Sequence, residues 1–556
     1  MILGIDVGGT HTDAVLVENF LVKKKAKVKT DNTNIVASLL AAAQKIVSEE
    51  NIKNVKRIVL STTISTNAIV QGKTDRVGMV LLSGPGLSPQ VLNQGKDSFF
   101  VSGYINHRGK SMQPVKEREI KDVGEYFRQE NINQIGIVGK FSSRNPQQEI
   151  NVAEILEDKQ RNFSLGHRLS GALNFPRRVA TTYLNAAVHN IYKGFVREVQ
   201  QFLREIRMNI PVYILKADGG TILIDQSISY SALTIHSGPA ASIMGVLAIA
   251  GIKEDAVALD IGGTTTDISV FAEGVPLLEI SGVTIGGQKT LIRGLYTKSI
   301  GIGGDSAVRI KAGNISVGPD REGPAAALDG TLPTPTDAMI ILGLTSLGDK
   351  QKAIAAVQLL AIQLNMDTIS TARAILDKTI AVIADNVRQI IEEINNKPVY
   401  TIHDLLEGKI IRPRCVYVVG GPAAAIAPGI ANLLGYPYKI PEHSEVANAL
   451  GAALARTTAE ITVLADTEKG ELTISEEGII KKIPRNFSSQ NAIEAGFEAL
   501  TARAIKMGAD LNDLEMEVTE AQQFNMIREF YTTGKNIRTK IQIKPGLISA
   551  CAARNQ

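Results

Sequence analysis

Two stretches of this chain carry the same potential chemistry. Near the start, Leu3-Gly4-Ile5-Asp6-Val7-Gly8-Gly9-Thr10-His11-Thr12-Asp13 runs from an apolar segment through Asp into Gly-Gly-Thr and on to a second Asp. Far downstream, Ala258-Leu259-Asp260-Ile261-Gly262-Gly263-Thr264-Thr265-Thr266-Asp267 repeats the pattern. The two copies are separated by about one large domain length. A Gly-Gly-Thr tip offers backbone N–H groups and a hydroxyl, a nest that binds phosphate oxygens without Lys or Arg. Glycine is needed there because a Cβ would hold the ligand off. The flanking aspartates repel a bare polyphosphate but accept one complexed with Mg²⁺, which takes carboxylate and phosphate oxygens together. One copy alone reads equally well as a plain β-turn. Two matching copies suggest related domains gripping a nucleotide from opposite sides.

The elements that carry these turns decide their type. Asp13-Ala14-Val15-Leu16-Val17 follows the first and Ile268-Ser269-Val270-Phe271 the second, so both read strand–turn–strand. A dinucleotide-binding glycine turn would open a helix instead, and a GxxxxGK[ST] loop is absent. A third glycine element, Gly301-Ile302-Gly303-Gly304-Asp305, comes after the second hairpin. A fourth, Gly420-Gly421-Pro422, leaves the strand-like Val416-Tyr417-Val418-Val419 and opens a helical run to Leu434, which suits the adenosine side of a nucleotide site. Asn448 to Ala453 form a small-residue helix face fit for close packing.

Around these motifs α and β patterns alternate. Helices are predicted over 34–48, 64–70 (capped from Ser61-Thr62-Thr63), 176–207 and 351–396, and buried strands over 57–60, 77–82 and 135–138. Beyond about 457 the character changes to short β-like runs at 471–475 and 539–543 with a helix at about 490–508, which predicts a small separate unit. Lys23-Lys24-Lys25-Ala26-Lys27 reads as a solvated strand edge. His107 and His236 read as loop or core histidines, and no HExxH-type spacing occurs.

The bulk properties set outer bounds. The 556 residues, 44% hydrophobic and 21% charged, are too many for one core and too apolar for a disordered chain. A net charge of +4 gives no strong footprint for nucleic acid or a membrane. Two cysteines, Cys415 and Cys551, cannot build a disulfide framework. The opening residues lack a signal-peptide pattern and no uncharged 18-residue apolar stretch occurs, so a cytoplasmic location is expected.

The ordered motifs resemble the actin-like ATPase superfamily and, more closely, the ATP-binding A-type subunit of the hydantoinase/oxoprolinase family over residues 1 to about 456. The resembling stretches are Gly4 to Thr10, Ser61 to Ala68, Ala217-Asp218-Gly219-Gly220, Ser237-Gly238-Pro239-Ala240, Asp260 to Asp267, Val317-Gly318-Pro319 and Thr334-Pro335-Thr336-Asp337-Ala338. The chain departs from the family at His11, often aromatic there, and at Gly303-Gly304-Asp305, where a Gly-rich run with Ser is usual. It is also shorter than typical members, and its C-terminal end does not match theirs.

The resemblance implies an α/β fold of two ribonuclease-H-like lobes around a nucleotide cleft, plus a small α+β C-terminal unit. The implied division is 1–165 with the first hairpin, 166–456 with the second hairpin and the adenosine motif, and 457–556. ATP and Mg²⁺ are the implied cofactors. Asp6 and Asp260 would hold Mg²⁺ or its waters, and Asp13 or Asp267 would orient a nucleophile. Thr10, Thr12, Thr264 and Thr265, with Gly8, Gly9, Gly262 and Gly263, would bond phosphate oxygens. Gly303, Gly304, Gly420, Gly421 and Pro422 would complete the nucleotide site. The implied activity is ATP-dependent opening of a cyclic amide (hydantoin, 5-oxoproline or a lactam), with a B-type partner subunit or a homo-oligomer. Two alternatives stand beside it: the ATPase subunit of a ketone carboxylase, and an ATPase that reactivates a partner enzyme.

Overall fold

The computed structural model describes residues 1–9, 11–31, 33–48, 52–205, 209–279, 281–396 and 410–548. Thr10 and Cys551 lie outside the described residues. Each Gly-Gly-Thr motif joins the first two strands of a mixed sheet. In the first sheet the order is Thr221–Leu223, Val212–Leu215, Arg57–Thr62, Ile2–Val7, His11–Glu18 and Leu21–Lys29. Ile2–Val7 runs antiparallel to His11–Glu18 and parallel to Arg57–Thr62. In the second sheet Ala256–Ile261 runs antiparallel to Thr266–Ala272 and parallel to Cys415–Val419, with Tyr438–Lys439 beyond and Thr297–Ile300 on the far side. The register repeats: Asp6 pairs with Asp13, and Asp260 with Asp267. These are the two ribonuclease-H-like lobes that the resemblance implied. The apolar runs of the central strands are buried on both faces, as parallel neighbours require.

The first sheet draws strands from residues 2–62 and again from 212–223, so it crosses residue 165. The chain between makes a second, four-stranded parallel sheet, ordered Asn162–Leu165, Gln134–Gly139, Val77–Leu82 and Asp97–Phe100. The helix Phe175–Glu205 then leads back to the first sheet. The predicted helices occur at Ile35–Ile46, capped by the Asn34 side chain, at Ile64–Val70, and at Lys350–Leu364 with Thr368–Asn395. No single helix among the described residues is long and apolar enough to cross a membrane.

Two helices join the lobes. Ser237–Ala250 and Ala447–Leu454 cross with their backbones in contact at Gly245 and Gly451. A Cβ on Gly451 would stand 2.2 Å from the Gly245 nitrogen, so this crossing requires glycine.

The C-terminal unit is a five-stranded antiparallel sheet, ordered Ile479–Lys482, Glu471–Ile474, Glu460–Asp466, Tyr531–Ile543 and Met516–Arg528, with the helix Ser489–Lys506 packed on it. It is not separate. Ile461, Val463, Leu472, Leu500 and Ile541 share one buried cluster with Leu3, Ile5 and Leu60 of the first sheet. Residues distant in sequence close this interface, which is why local pattern did not disclose it.

Candidate functional site

The two hairpins have the same closure. Gly8 N donates to His11 O at 3.0 Å and Gly262 N to Thr265 O at 2.9 Å. Gly9 has open space where a Cβ would be, and Thr264 is exposed. Gly8, Gly262, Gly263 and Thr265 are partly exposed around these tips. Thr12 has a different place. It is fully buried, and its hydroxyl meets that of Thr30 at 2.9 Å, while Thr30 donates to Gly8 O at 2.9 Å. Thr12 therefore braces the turn from behind. Its register partner in the second lobe is Thr266, also buried, whose hydroxyl donates to Ile302 O at 2.7 Å.

The later glycine elements gather on the second hairpin. Gly304 N donates to Gly262 O at 2.9 Å, and Asp305 N to Gly263 O at 2.6 Å. Thr336, from the Thr-Pro-Thr-Asp motif, donates to Gly304 O through both its nitrogen and its hydroxyl, each at 2.8 Å. Gly420 has φ +99°, and a Cβ there would stand 2.2 Å from Ile261 O. Pro422 lies against Gly304. So Gly303, Gly304 and Gly420 are small because another loop packs on them, whereas Gly421 faces open space. The resulting surface is one continuous backbone cradle from 262 to 265, 303 to 305 and 420 to 422.

The lobes hold each other's aspartates. Asn448, on the helix after the second sheet, donates its amide to Asp6 Oδ2 at 3.3 Å. Ser242, on the helix after the first sheet's last strands, donates to Asp260 Oδ2 at 2.7 Å. Burial pushes Asp6 up to about 6, with the charges of Asp13 and Asp260 adding to the rise. Burial also raises Asp13, Asp260 and Asp267; Lys27 offsets part of the rise at Asp13 and Asp260. Four aspartates on two lobes thus form a cleft short of positive charge. A hydrated divalent cation would relieve it, since Mg²⁺ needs one or two carboxylates and takes its other oxygens from water and phosphate. Asp6 and Asp260 fit that demand. No group of three or more metal-ligating side chains occurs among the described residues.

Lys27 was missed by sequence reasoning. The lysine-rich strand Leu21–Lys29 is a sheet edge, mostly exposed, as expected. Yet Lys27 Nζ pairs with Asp13 at 3.1 Å and donates to Glu445 O at 3.2 Å, and Lys25 pairs with the Glu445 carboxylate. The alternation of an edge strand was visible; the loop carrying Glu445 beside it was not. Asp13 is thereby tied to a cation, whereas Asp267 is met by the Ser299 side chain.

The Ala-Asp-Gly-Gly motif is a structural pin. Lys216 Nζ donates to Thr458 O at 2.9 Å and to its hydroxyl at 2.7 Å, and pairs with Asp218 at 3.2 Å. Arg293 approaches Asp218 at 3.5 Å, and Thr458 donates to Asp218 at 2.8 Å. First lobe, second-lobe arm and C-terminal unit meet there. Burial pushes the Lys216 ammonium down. The two neighbouring cations overcome burial at Asp218 and hold its carboxyl at about 2. A folded value below the ordinary 3.8 means the stabilisation is complete above about pH 4 and is lost as pH falls toward 2. Asp218→Asn lowers stability at pH 7 by about 3 kcal/mol, because it leaves buried cations unpaired. Its urea midpoint changes less between pH 4 and pH 2 than that of the unaltered chain, the comparison that checks the assignment.

The fold recurs in known proteins. The model for "Hydantoinase/oxoprolinase" matches residues 178–461, and that for its N-terminal region matches residues 2–160. The caprolactamase subunit alpha of Pseudomonas jessenii is 23% identical over 398 residues, covering 61% of this chain and 54% of that one. The acetophenone carboxylase gamma subunit of Aromatoleum aromaticum is 24% identical over 389 residues, covering 61% of this chain and 53% of that one. The chain thus spans about half the length of these curated relatives. The crystal structure of the ATP-dependent caprolactamase from Pseudomonas jessenii shares the fold, with a TM-score of 0.73 at 18% identity over 97% of this chain and 87% of that one. Matched on both sides of the cleft, the chain belongs to the hydantoinase/oxoprolinase family.

Proposed function

We propose that this chain is the ATP-binding subunit of an enzyme that opens a cyclic amide at the expense of ATP. The observation that carries the reading is the pairing of the two hairpins through Asp6 and Asp260, each held by a helix that follows the opposite lobe's sheet. The exposed Thr264 and the half-exposed Thr265 offer hydroxyl donors to the phosphates at the second tip, while the Gly8 and Gly262 nitrogens already close their hairpins. Gly303, Gly304, Gly420, Gly421 and Pro422 line the nucleoside side. Asp6 and Asp260 would hold Mg²⁺, which supplies charge neutralisation at the phosphates. Asp267 orients the nucleophile more readily than Asp13, which Lys27 already engages.

An unstrained amide is a poor electrophile with a poor leaving group. Transfer of the terminal phosphoryl group to its carbonyl oxygen, with release of ADP, corrects the first defect. Water then adds at carbon, the ring nitrogen leaves with a proton, and a second water releases phosphate from the acyl phosphate. The chain's contribution is position and charge, which phosphoryl transfer mainly demands.

A ketone carboxylase subunit is the second reading, supported by the likeness to the acetophenone carboxylase gamma subunit. The test is ATP hydrolysis screened against hydantoin, 5-oxoproline, lactams and ketones, with and without a co-expressed B-type subunit. Stimulation by a cyclic amide supports the first reading. Bicarbonate-dependent stimulation by a ketone supports the second. Stimulation by a partner protein alone indicates a reactivating ATPase.

A further inference from the structure

An arm of the second lobe, from Leu277 to Tyr296, reaches across to the first. Leu295 N donates to Ala217 O at 2.9 Å, and Leu291 N to the Thr181 hydroxyl at 2.8 Å. Between the arm and the start of the helix Ser237–Ala250 lies a cavity of about 300 Å³. That is the low end for ligand pockets and suits a small ring rather than a nucleotide. Its apolar wall is Ala217, Pro239, Ala240, Val283 and Leu295. Its polar groups are His236, Glu279, Thr284 and Thr297.

Three features mark it as built for a ligand. The Thr297 hydroxyl is buried and has no hydrogen-bond partner among the described residues, an arrangement that costs stability unless something else fills it. His236 holds a left-handed backbone, φ +67°, although it is not glycine. Its backbone nitrogen donates to the Thr66 hydroxyl at 3.1 Å, tying the cavity rim to the first lobe. Glu279 forms no ion pair among the described residues, and its backbone is fixed by a bond to Gly294 O at 2.9 Å. The cavity also adjoins the cleft. Thr297 pairs with Ser269 and Ser299 with Asp267 on adjacent strands, so Thr297 stands two residues, about 7 Å, along the strand from the second hairpin's aspartate pair.

We propose that this cavity is the organic-substrate site and that it takes a compact cyclic amide, with Glu279 accepting the ring N–H, Thr297 bonding the amide and the apolar wall covering the ring carbons. The inference rests on the ATP-dependent reading above and makes it more specific: a ketone has no N–H for Glu279. His236, whose ring has no partner among the described residues, sits at the rim between the pocket and the first lobe.

The test is saturation-transfer NMR on the full chain with Mg-ADP present. The probes are 2-pyrrolidinone, ε-caprolactam, 5-oxoproline and hydantoin, with cyclopentanone and cyclohexanone as controls lacking N–H. At least one amide binds, about tenfold more tightly than the ketones. Thr284→Trp, a change at an exposed rim position, abolishes that binding. Thr297→Val keeps the shape and removes the orphan hydroxyl; it weakens the amide about fivefold while leaving the melting temperature equal or higher. Both variants keep the affinity for Mg-ADP. Equal binding of ketones and amides overturns the proposal. So does amide binding that survives both substitutions, or nucleotide binding with no amide bound. Failure of the unaltered chain to bind Mg-nucleotide removes the underlying reading and this one with it.

Discussion

Asp6→Asn lowers ATP turnover by about 10²–10³-fold, the loss typical of removing a group aimed at developing charge. Asp260→Ala does the same or abolishes turnover. Asp6 is buried and Asp260 half-buried; both lack a cationic ion-pair partner among the described residues, and they sit on opposite lobes. The unusual part of the expectation is its companion effect. Asp6 titrates in the folded chain at about 6, above its ordinary 3.8. The fold therefore favours the protonated form, and its stability declines as pH rises from about 4 through 6. Asn cannot ionise. Without nucleotide or metal, Asp6→Asn therefore raises the urea midpoint at pH 7, equivalent to about 2–3 kcal/mol, and flattens the dependence between pH 4 and 7. A variant that loses turnover while gaining stability is what a functional carboxylate predicts. One that loses both shows that Asp6 serves the fold instead.

Gly451→Ala destabilises the chain by about 3 kcal/mol or more, although it adds one methyl group. The added Cβ meets the Gly245 nitrogen at 2.2 Å and Ala241 O at 2.5 Å, and neither backbone atom can move without shifting a helix. The helices affected are those that present Ser242 and Asn448 to the aspartates, so nucleotide affinity falls with stability. The control is Gly194→Ala in the helix Phe175–Glu205, where nothing lies within 4 Å of the new atom. There helix propensity alone acts, and stability rises by about 0.5–1 kcal/mol. Denaturant midpoints and calorimetric titration with Mg-nucleotide check both. If the two glycine variants behave alike, close contact is not what holds the lobes.

Much of the frame was legible because it is written locally. Alternation after Gly9 and Gly263 marks a strand rather than a helix, so the two hairpins followed from spacing; the ribonuclease-H-like lobes followed from the family resemblance, and the shared register from the structure. Apolar periodicity placed the helix Phe175–Glu205 within a few residues of its observed ends, and marked the stretch 351–396 that the structure divides into Lys350–Leu364 and Thr368–Asn395. The small-residue run at 448–453 foretold a close helix contact but not its partner. The motif alone puts Thr12 among candidate phosphate ligands; only the returning strand Leu21–Lys29, which brings Thr30 beside it, turns that hydroxyl inward.

By itself the sequence determined two matching turns with their glycines, carboxylates and flanking strands, since those properties depend on residues a few positions apart. The tertiary structure decided which helix steadies which aspartate, that Lys27 answers Asp13, that Lys216 and Asp218 pin three units together, and that an arm closes a cavity beside the cleft. Each of those pairings joins residues separated by a strand, a lobe or most of the chain. Such contacts are selected by the burial of whole surfaces against one another, and no local pattern of polar and apolar residues records that choice.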